Sequence, residues 1–189
     1  MSSILKVDQL QDSGGNEIIT SNGSGTITVN NQTFKNGITE ADQWRLTAHI
    51  TSNTNPISAN LERNDSTGFG YIGTGMSVSS GAWTFPSTGI WLVRVSAIIE
   101  AVSNDNVLIF TNVTTDNSTY SSVAITNDSG DGSPSGAGGS TSEFLFNCTD
   151  TSTHKVQFQT DSIGSGSYVQ GTTTYNNTSF TFIRLGDST

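Results

Sequence analysis

The chain has 189 residues and a formal net charge of −9, with 12% charged and 32% hydrophobic residues. Seven lysines and arginines leave no basic cluster to neutralise phosphates, which argues against nucleic-acid binding, and no apolar run is long enough to insert in a membrane. Glycine, serine, threonine and asparagine, all weak helix formers, fill much of the rest, while nine Phe, four Tyr and three Trp indicate packed cores. The composition predicts an all-β protein.

The first 36 residues form a predicted segment of short β-ribbons. β-leaning runs at residues 4–7, 17–20 and 26–29 are separated by turn signals at 12–16 and 22–25. Each run has only two or three large apolar side chains, too few to offset about 1–2 kcal/mol of backbone entropy per ordered residue. We therefore expect this segment to pack on another copy of itself or on a docking surface. Its candidate attachment residues are Ile4, Leu5, Val7, Leu10, Ile18 and Ile19.

Residues 37–189 form a predicted C-terminal domain of eight to ten strands. Residues 39–44 are expected to make a helical or irregular turn, and 44–51 alternate like a half-buried strand. Residues 90–100 are apolar on both faces at their start, which predicts a central strand covered on both sides. The stretch NDSGDGSPSGAGGS at 127–140 is predicted to be a long mobile loop. The remaining predicted strands are 57–63, 83–85, 106–115, 120–126, 142–149, 154–161 and 179–185.

The sequence has no catalytic constellation. His49 and His154 fall in predicted strands, His154 at a surface edge, without a nucleophile or carboxylate motif beside them. Residues 128–133 are oxygen-rich but lack the alternating acids and distal glutamate of a calcium loop. The single cysteine, Cys148, lies in an apolar run and is expected to be a buried small hydrophobe. We predict a protein that is not an enzyme and has no cofactor or catalytic metal.

The start of the chain resembles the N-terminal segment of tail-fibre and virion-appendage proteins of marine tailed bacteriophages. The resemblance rests on SSILKVDQLQDSGGNEIITSNGSGTIT, residues 2–28. It implies a virion part, attached to other virion proteins through this segment.

A second resemblance covers residues 44–185. WTFPSTGIWLVRVSA (83–97) is similar to the central motif of the complement-head and tumour-necrosis-factor-like jelly rolls, and SFTFIRL (179–185) is similar to their last strand, which pairs beside the first. Pro86 presets a turn, and Trp91 is expected to enter the sheet interior. The resemblance implies a jelly-roll β-sandwich that forms homotrimers. Tyr71, Phe180 and Phe182 are then candidates for the threefold contact, with filling of the monomer's own sandwich as the alternative.

Together these features predict a homotrimeric virion fibre or appendage that displays a jelly-roll head for host-surface attachment. Alternatives are a capsid-decorating spike without host recognition and a free carbohydrate-binding module. Aromatic residues near predicted loops or strand ends are candidates for contact with a host glycan or protein, and core packing is their alternative role. These residues are Trp83, Tyr120, Tyr168 and Tyr175.

Overall fold

The computed structural model describes residues 9–29, 37–130 and 136–189. The chain divides into two compact units, an N-terminal unit, Met1–Gly37, and a C-terminal unit, Ile38–Thr189. Of the candidate attachment residues, Ile4, Leu5 and Val7 lie outside the described residues. Within the described ranges the structure is all-β, and none of its segments is a helix capable of crossing a membrane.

The N-terminal unit contains a three-stranded antiparallel sheet of β1 (Gln9–Gln11), β2 (Glu17–Ser21) and β3 (Ile27–Val29). The Asp12 carboxylate caps the first turn by accepting hydrogen bonds from the backbone N–H groups of Gly14 and Asn16, at 2.8 and 3.0 Å. Those bonds hold the pKa of Asp12 below its usual value, the Asn16 contacts contributing most. Asn22 caps the second turn in the same way. The turn signals in the sequence thus mark the two hairpin connections.

The C-terminal unit contains eleven strands in its described residues. They are β4 (Ala41–Leu46), β5 (Leu61–Arg63), β6 (Ser77–Ser79), β7 (Ala82–Thr84), β8 (Gly89–Glu100), β9 (Asn106–Thr114), β10 (Ser121–Ser129), β11 (Ala137–Cys148), β12 (Lys155–Asp161), β13 (Tyr168–Val169) and β14 (Ser179–Gly186).

These strands form two antiparallel sheets of a β-sandwich. The five-stranded sheet has the order β10-β9-β12-β7-β6, and the six-stranded sheet has the order β11-β8-β14-β4-β5 with β13 paired to β8. As the resemblance implied, the last strand, β14, pairs directly with β4, the first strand of this unit. Six of the nine strand pairings in these two sheets join strands that are not consecutive in sequence, as expected of jelly rolls.

Strict alternation along β8 fixes which side chains reach the core. Trp91, Val93 and Val95 are buried, whereas Leu92 and Arg94 between them are half-exposed. The prediction that this strand is central is confirmed, because β11 and β14 flank it. The prediction that it is covered on both faces is wrong for the single chain, in which only one face is buried.

Aromatic rings hold the two sheets together. Trp83, on the five-stranded sheet, lies 5.0 Å from Phe182 and 5.9 Å from Phe180, both on β14 of the other sheet. Phe158 on β12 stacks on Phe180 at 4.5 Å. Phe85, just after β7, contacts Trp91 at 5.0 Å. Ring pairs at these separations contribute attraction beyond their buried area, so this cluster is the centre of the core.

Three sequence expectations differ from the structure. Residues 39–44 do not make a helical turn, since β4 begins at Ala41, where its backbone pairs with Ile183. The strand predicted at 44–51 therefore ends early, at Leu46. In the predicted loop at 127–140, residues 127–129 and 137–140 are strand, because β10 runs to Ser129 and β11 starts at Ala137, and residues 131–135 lie outside the described residues. The long edge of β8 supplies hydrogen-bond partners for the small residues 137–140, and pairing overrides their weak strand propensity.

We predict that Phe182→Ala destabilises the C-terminal unit by about 3–5 kcal/mol, because it removes a fully buried ring that touches Trp83 and Phe85. Urea unfolding followed by tryptophan fluorescence at fixed protein concentration measures the change. Tyr175→Ala removes an exposed ring and is the control, expected within about 0.5 kcal/mol of the parent. Equal losses in the two variants would contradict the assignment of Phe182 to the core.

Candidate functional site

The outer face of the six-stranded sheet, the face turned away from the core, carries an apolar row. Cross-strand register places Leu145, Leu92, Ile183 and Ala41 side by side, and an isolated bridge extends the row to Ile72. Leu145 is 59% exposed and Ile72 47% exposed. Leu92, Ile183 and Ala41 between them are half-buried. An aliphatic row with exposed ends on a sheet is unusual for a surface that faces only water, and such surfaces mark contact sites.

The next row of the outer face is polar. Arg94 Nε donates to Glu143 Oε1 at 2.7 Å, and Gln43 Nε2 donates to Thr181 Oγ1 at 3.0 Å. Each of these four residues has a partner within its own row, so the row satisfies its own polar groups. It can therefore be covered by a neighbouring protein without leaving an unpaired charge.

A charged corner lies on the core side of the sheet at its β4–β5 edge. The Asp42 carboxylate is almost completely buried and accepts hydrogen bonds from Trp44 Nε1 (2.9 Å), the Met76 backbone N–H (2.8 Å) and Arg63 Nη2 (3.1 Å). The Arg63 guanidinium lies between two rings, 5.1 Å from Trp44 and 4.8 Å from Tyr71. The corner therefore fixes Tyr71 beside Ile72 at the β4–β5 end of the sheet.

The six-stranded sheet thus has two apolar patches at opposite edges. The corner patch consists of Tyr71 and Ile72, beyond β4. The edge patch is formed by Leu145 on β11, the edge strand at the other side of the sheet. Each patch leaves about half of each of its side chains exposed in the single chain.

The two ends of the C-terminal sandwich carry different structural features. The proximal end contains both ends of this unit's chain: Arg184 N donates to Glu40 O, and Thr189 is hydrogen-bonded to Asn147. The distal end contains the connections after β4, β8, β10 and β12. There the His49 ring stacks on Tyr168 at 4.6 Å and accepts a hydrogen bond from the Gly171 backbone N–H through Nδ1. A cavity of about 200 Å³ opens beside His49.

Three sequence-predicted site residues are core residues. Phe180 and Phe182, candidates for the threefold contact, are fully buried inside the single chain and pack against Trp83. Trp83, a candidate for ligand contact, is itself fully buried. These assignments are corrected: alternation along β14 turns both phenylalanines inward and leaves Thr181 and Ile183 on the outer face.

The four tyrosines lie at the surface, in three places. Tyr71 is 49% exposed and belongs to the corner patch. Tyr120 is half-buried at the proximal end, where burial first and then the charge of Asp116 raise its pKa. Tyr168 and Tyr175 are at the distal end, and Tyr175 is the more exposed. The structure therefore groups only Tyr168 and Tyr175 with the distal loops.

The two histidines are at opposite ends of the sandwich. His49 is distal, whereas His154 precedes β12 at the proximal end, between the hydroxyls of Thr149 and Thr153 at 3.1 Å each. His154 is buried against Phe146, which corrects its predicted place at a surface edge. Among residues 9–29, 37–130 and 136–189, no three His, Cys, Asp or Glu side chains are grouped to hold a metal ion. Half of the oxygen-rich stretch at 128–133, residues 131–133, lies outside these ranges.

Sequence reasoning missed the residues that make the outer face. Leu145 was part of the apolar run at 144–148, and alternation within that run would have separated the inward Phe144 and Phe146 from the outward Leu145. Ile72, between Tyr71 and Gly73, had no comparable signal. The Asp42–Arg63 pair joins residues from different strands, and no motif marks it.

Comparisons with known proteins match the C-terminal fold. No protein-family model matches the chain, and no curated protein matches it. The structure is similar to Eiger TNF from S. frugiperda, with 12% identity and a TM-score of 0.61 over 81% of this chain and 96% of that one. It is also similar to murine APRIL at pH 5.0, with 9% identity and a TM-score of 0.57 over 77% and 98%. The globular domain of zebrafish complement 1qA matches at 14% identity, with a TM-score of 0.48 over 79% and 99%.

The C-terminal unit has a tumour-necrosis-factor-like jelly-roll fold. The all-β, jelly-roll prediction is confirmed, and the sheet orders and the β4–β14 pairing agree with it. Identities of 9–12% establish the fold alone, so what the jelly roll binds has to be argued from its own surface.

We predict that Asp42→Asn destabilises the C-terminal unit by about 3–5 kcal/mol, because it leaves the Arg63 guanidinium and two buried N–H donors short of their acceptor. Urea unfolding measures the loss. The control is Asp187→Asn, which removes an exposed carboxylate paired with Arg184, a contact worth at most about 1 kcal/mol. A loss for Asp42→Asn no larger than that of the control would show that the corner is dispensable.

We predict that Cys148 is inert to iodoacetamide in the native protein at pH 8. Burial raises the pKa of its thiol to about 11, so the reactive thiolate is scarce, and the sulfur is also inaccessible. Mass spectrometry should find full alkylation in 6 M guanidinium and almost none in buffer. Rapid alkylation of the folded chain at pH 8 would contradict the buried assignment.

Proposed function

We propose that this chain is a homotrimeric virion appendage whose jelly-roll heads associate through the outer face of the six-stranded sheet and present their distal loops to a host surface. The observation that carries the proposal is the pair of different apolar patches at opposite edges of one sheet. Tyr71 and Ile72 at one edge, and Leu145 at the other, are each about half-exposed in the single chain.

Two different patches favour a ring over a twofold dimer. In a twofold contact the same patch meets itself, whereas a contact between different patches leaves each copy with one unused patch, and rotation closes the assembly into a ring. The corner patch of one copy would meet the edge patch of the next. The number three comes from the resemblance of the sequence to trimeric jelly rolls. The internally paired polar row, Arg94 with Glu143, allows the face between the patches to be covered without unpaired charge.

The opposite ends of the jelly roll support its role as a display unit. Residue 38 enters at the proximal end, and the N-terminal segment that resembles phage fibres precedes it. The distal end carries the exposed Tyr175, the His49–Tyr168 stack and the neighbouring cavity. Attachment at one end and exposed polar and aromatic groups at the other suit a protein that bridges a particle and a glycan or protein receptor. Several weak contacts on one particle would then add up.

We predict that Leu145→Lys converts trimers to monomers, because it places a charge in the edge patch. Light scattering should give about three times the chain mass of 19.9 kDa for the parent and about one times that mass for the variant. Thr173→Lys, an exposed change in a distal loop, adds the same charge and should leave the trimer intact. A monomeric parent would reject the ring, and dissociation by both variants would show a charge effect without a specific patch.

The virion role has separate tests. Mass spectrometry of purified particles should detect the chain, and its absence would reject the proposal. Added free protein should compete with particles for adsorption to the host. Presence in the particle without any competition would instead favour a decorating spike that does not recognise a host.

A further inference from the structure

The N-terminal sheet has one apolar and one polar face. A β-bulge between β1 and β2 determines on which face its charged residue lies. Leu10 pairs with Ile19, and Ser21 pairs with Ile27, so these four residues lie on one face, here called the apolar ribbon face. The other face, here called the polar ribbon face, contains the cross-strand row of Gln9, Thr20 and Thr28. Leu10 is 50% exposed and Ile27 66% exposed, so the unit leaves its apolar face largely uncovered.

The bulge moves the one charged residue of these strands to the polar side. The register of the β1–β2 pairing shifts between Leu10 and Gln11. Gln11 therefore pairs with Glu17, and Ile18 is the extra residue of the bulge. Glu17 then lies beside Gln9, whose side-chain Nε2 donates to Glu17 Oε1 at 2.8 Å. Without the bulge, strict alternation would put Glu17 on the same face as Ile19. Within residues 9–29, the apolar ribbon face consequently has no charged side chain, even though the chain as a whole is strongly acidic.

We propose that the apolar ribbon faces of three copies pack against one another around the threefold axis of the trimer. A face without charge can meet its own copies around a threefold axis, because identical residues face one another there and like charges would repel. The sheet is also too small to hold its shape without a covering surface, since three short strands need a further layer on their apolar side. This inference rests on the trimer of the proposed function.

A second copy is the favoured occupant because it is always present. In a trimer of heads, three N-terminal units are covalently held near one another, at effective concentrations of about millimolar for short connections. No foreign partner has that advantage. The inference reassigns three of the expected attachment residues: Leu10 and Ile19 lie on the apolar ribbon face, Ile18 is the bulged residue, and docking to the particle falls to the polar ribbon face.

The test compares two neighbouring substitutions in the full-length chain. Ile27→Lys places a charge on the apolar ribbon face, and Thr28→Lys places the same charge on the polar ribbon face; both positions are exposed in the single unit. By hydrogen exchange with mass spectrometry, residues 9–29 should be protected in the parent trimer. Protection should be lost in Ile27→Lys and kept in Thr28→Lys.

A cysteine pair gives a measurement that does not depend on disrupting the sheet. Ser21→Cys lies on the apolar ribbon face and Thr20→Cys on the polar one, and the native Cys148 is buried. Mild oxidation should link Ser21→Cys subunits into covalent dimers and should leave Thr20→Cys subunits unlinked. Efficient linking of Thr20→Cys, or none of Ser21→Cys, would overturn the inference.

The outcomes separate this inference from the proposed function. A trimer in which residues 9–29 exchange as fast as an unfolded peptide, or in which both lysine variants lose protection equally, would overturn the ribbon contact and leave the trimer of heads standing. Protection that appears only after purified particles are added would make a particle protein the occupant and would also overturn it. A monomeric parent would reject both.

Discussion

The contact of Trp83 with Phe180 and Phe182 across the two sheets is the interaction on which the rest of the C-terminal unit depends. It fixes the pleat of β14, the strand that joins β8 to β4 in the middle of the six-stranded sheet. Because a one-residue slip would exchange the two faces of a strand, burying these rings also decides that Ile183 points outward. The same register brings Ile183 beside Leu92 and Leu145. The outer face is therefore a consequence of the core.

The two units solve the problem of burying apolar surface differently. The C-terminal unit has enough chain to enclose a core of aromatic and aliphatic residues, and few of its large apolar side chains are left exposed. The N-terminal unit has enough chain for one layer and keeps an uncharged face uncovered. In the C-terminal unit, association would add contacts to a sandwich that already encloses a core. In the N-terminal unit, it would supply the layer that covers the apolar ribbon face. The proposed assembly serves both needs with the same threefold symmetry.

The sequence predicted the parts of the fold that depend on alternation and turns. The strand at 90–100, the buried Trp91, the last strand and the two N-terminal turns all follow from local pattern. The sequence-based prediction failed where tertiary pairing determines the secondary structure. Residues 137–140, for example, are strand only because they pair with β8. It also failed for Phe180, Phe182 and Trp83, because alternation shows that two faces exist without showing which one the core takes. The Asp42–Arg63 corner depends on tertiary contacts that no local pattern encodes.

Both ends of the C-terminal unit's chain leave from the proximal end, on the side opposite the loops that carry Tyr168 and Tyr175. The exposed residues 173–176, between β13 and β14, take no part in the core or in either apolar patch. In the proposed virion appendage, substitutions and insertions in this loop would alter tropism without a compensating change elsewhere in the head.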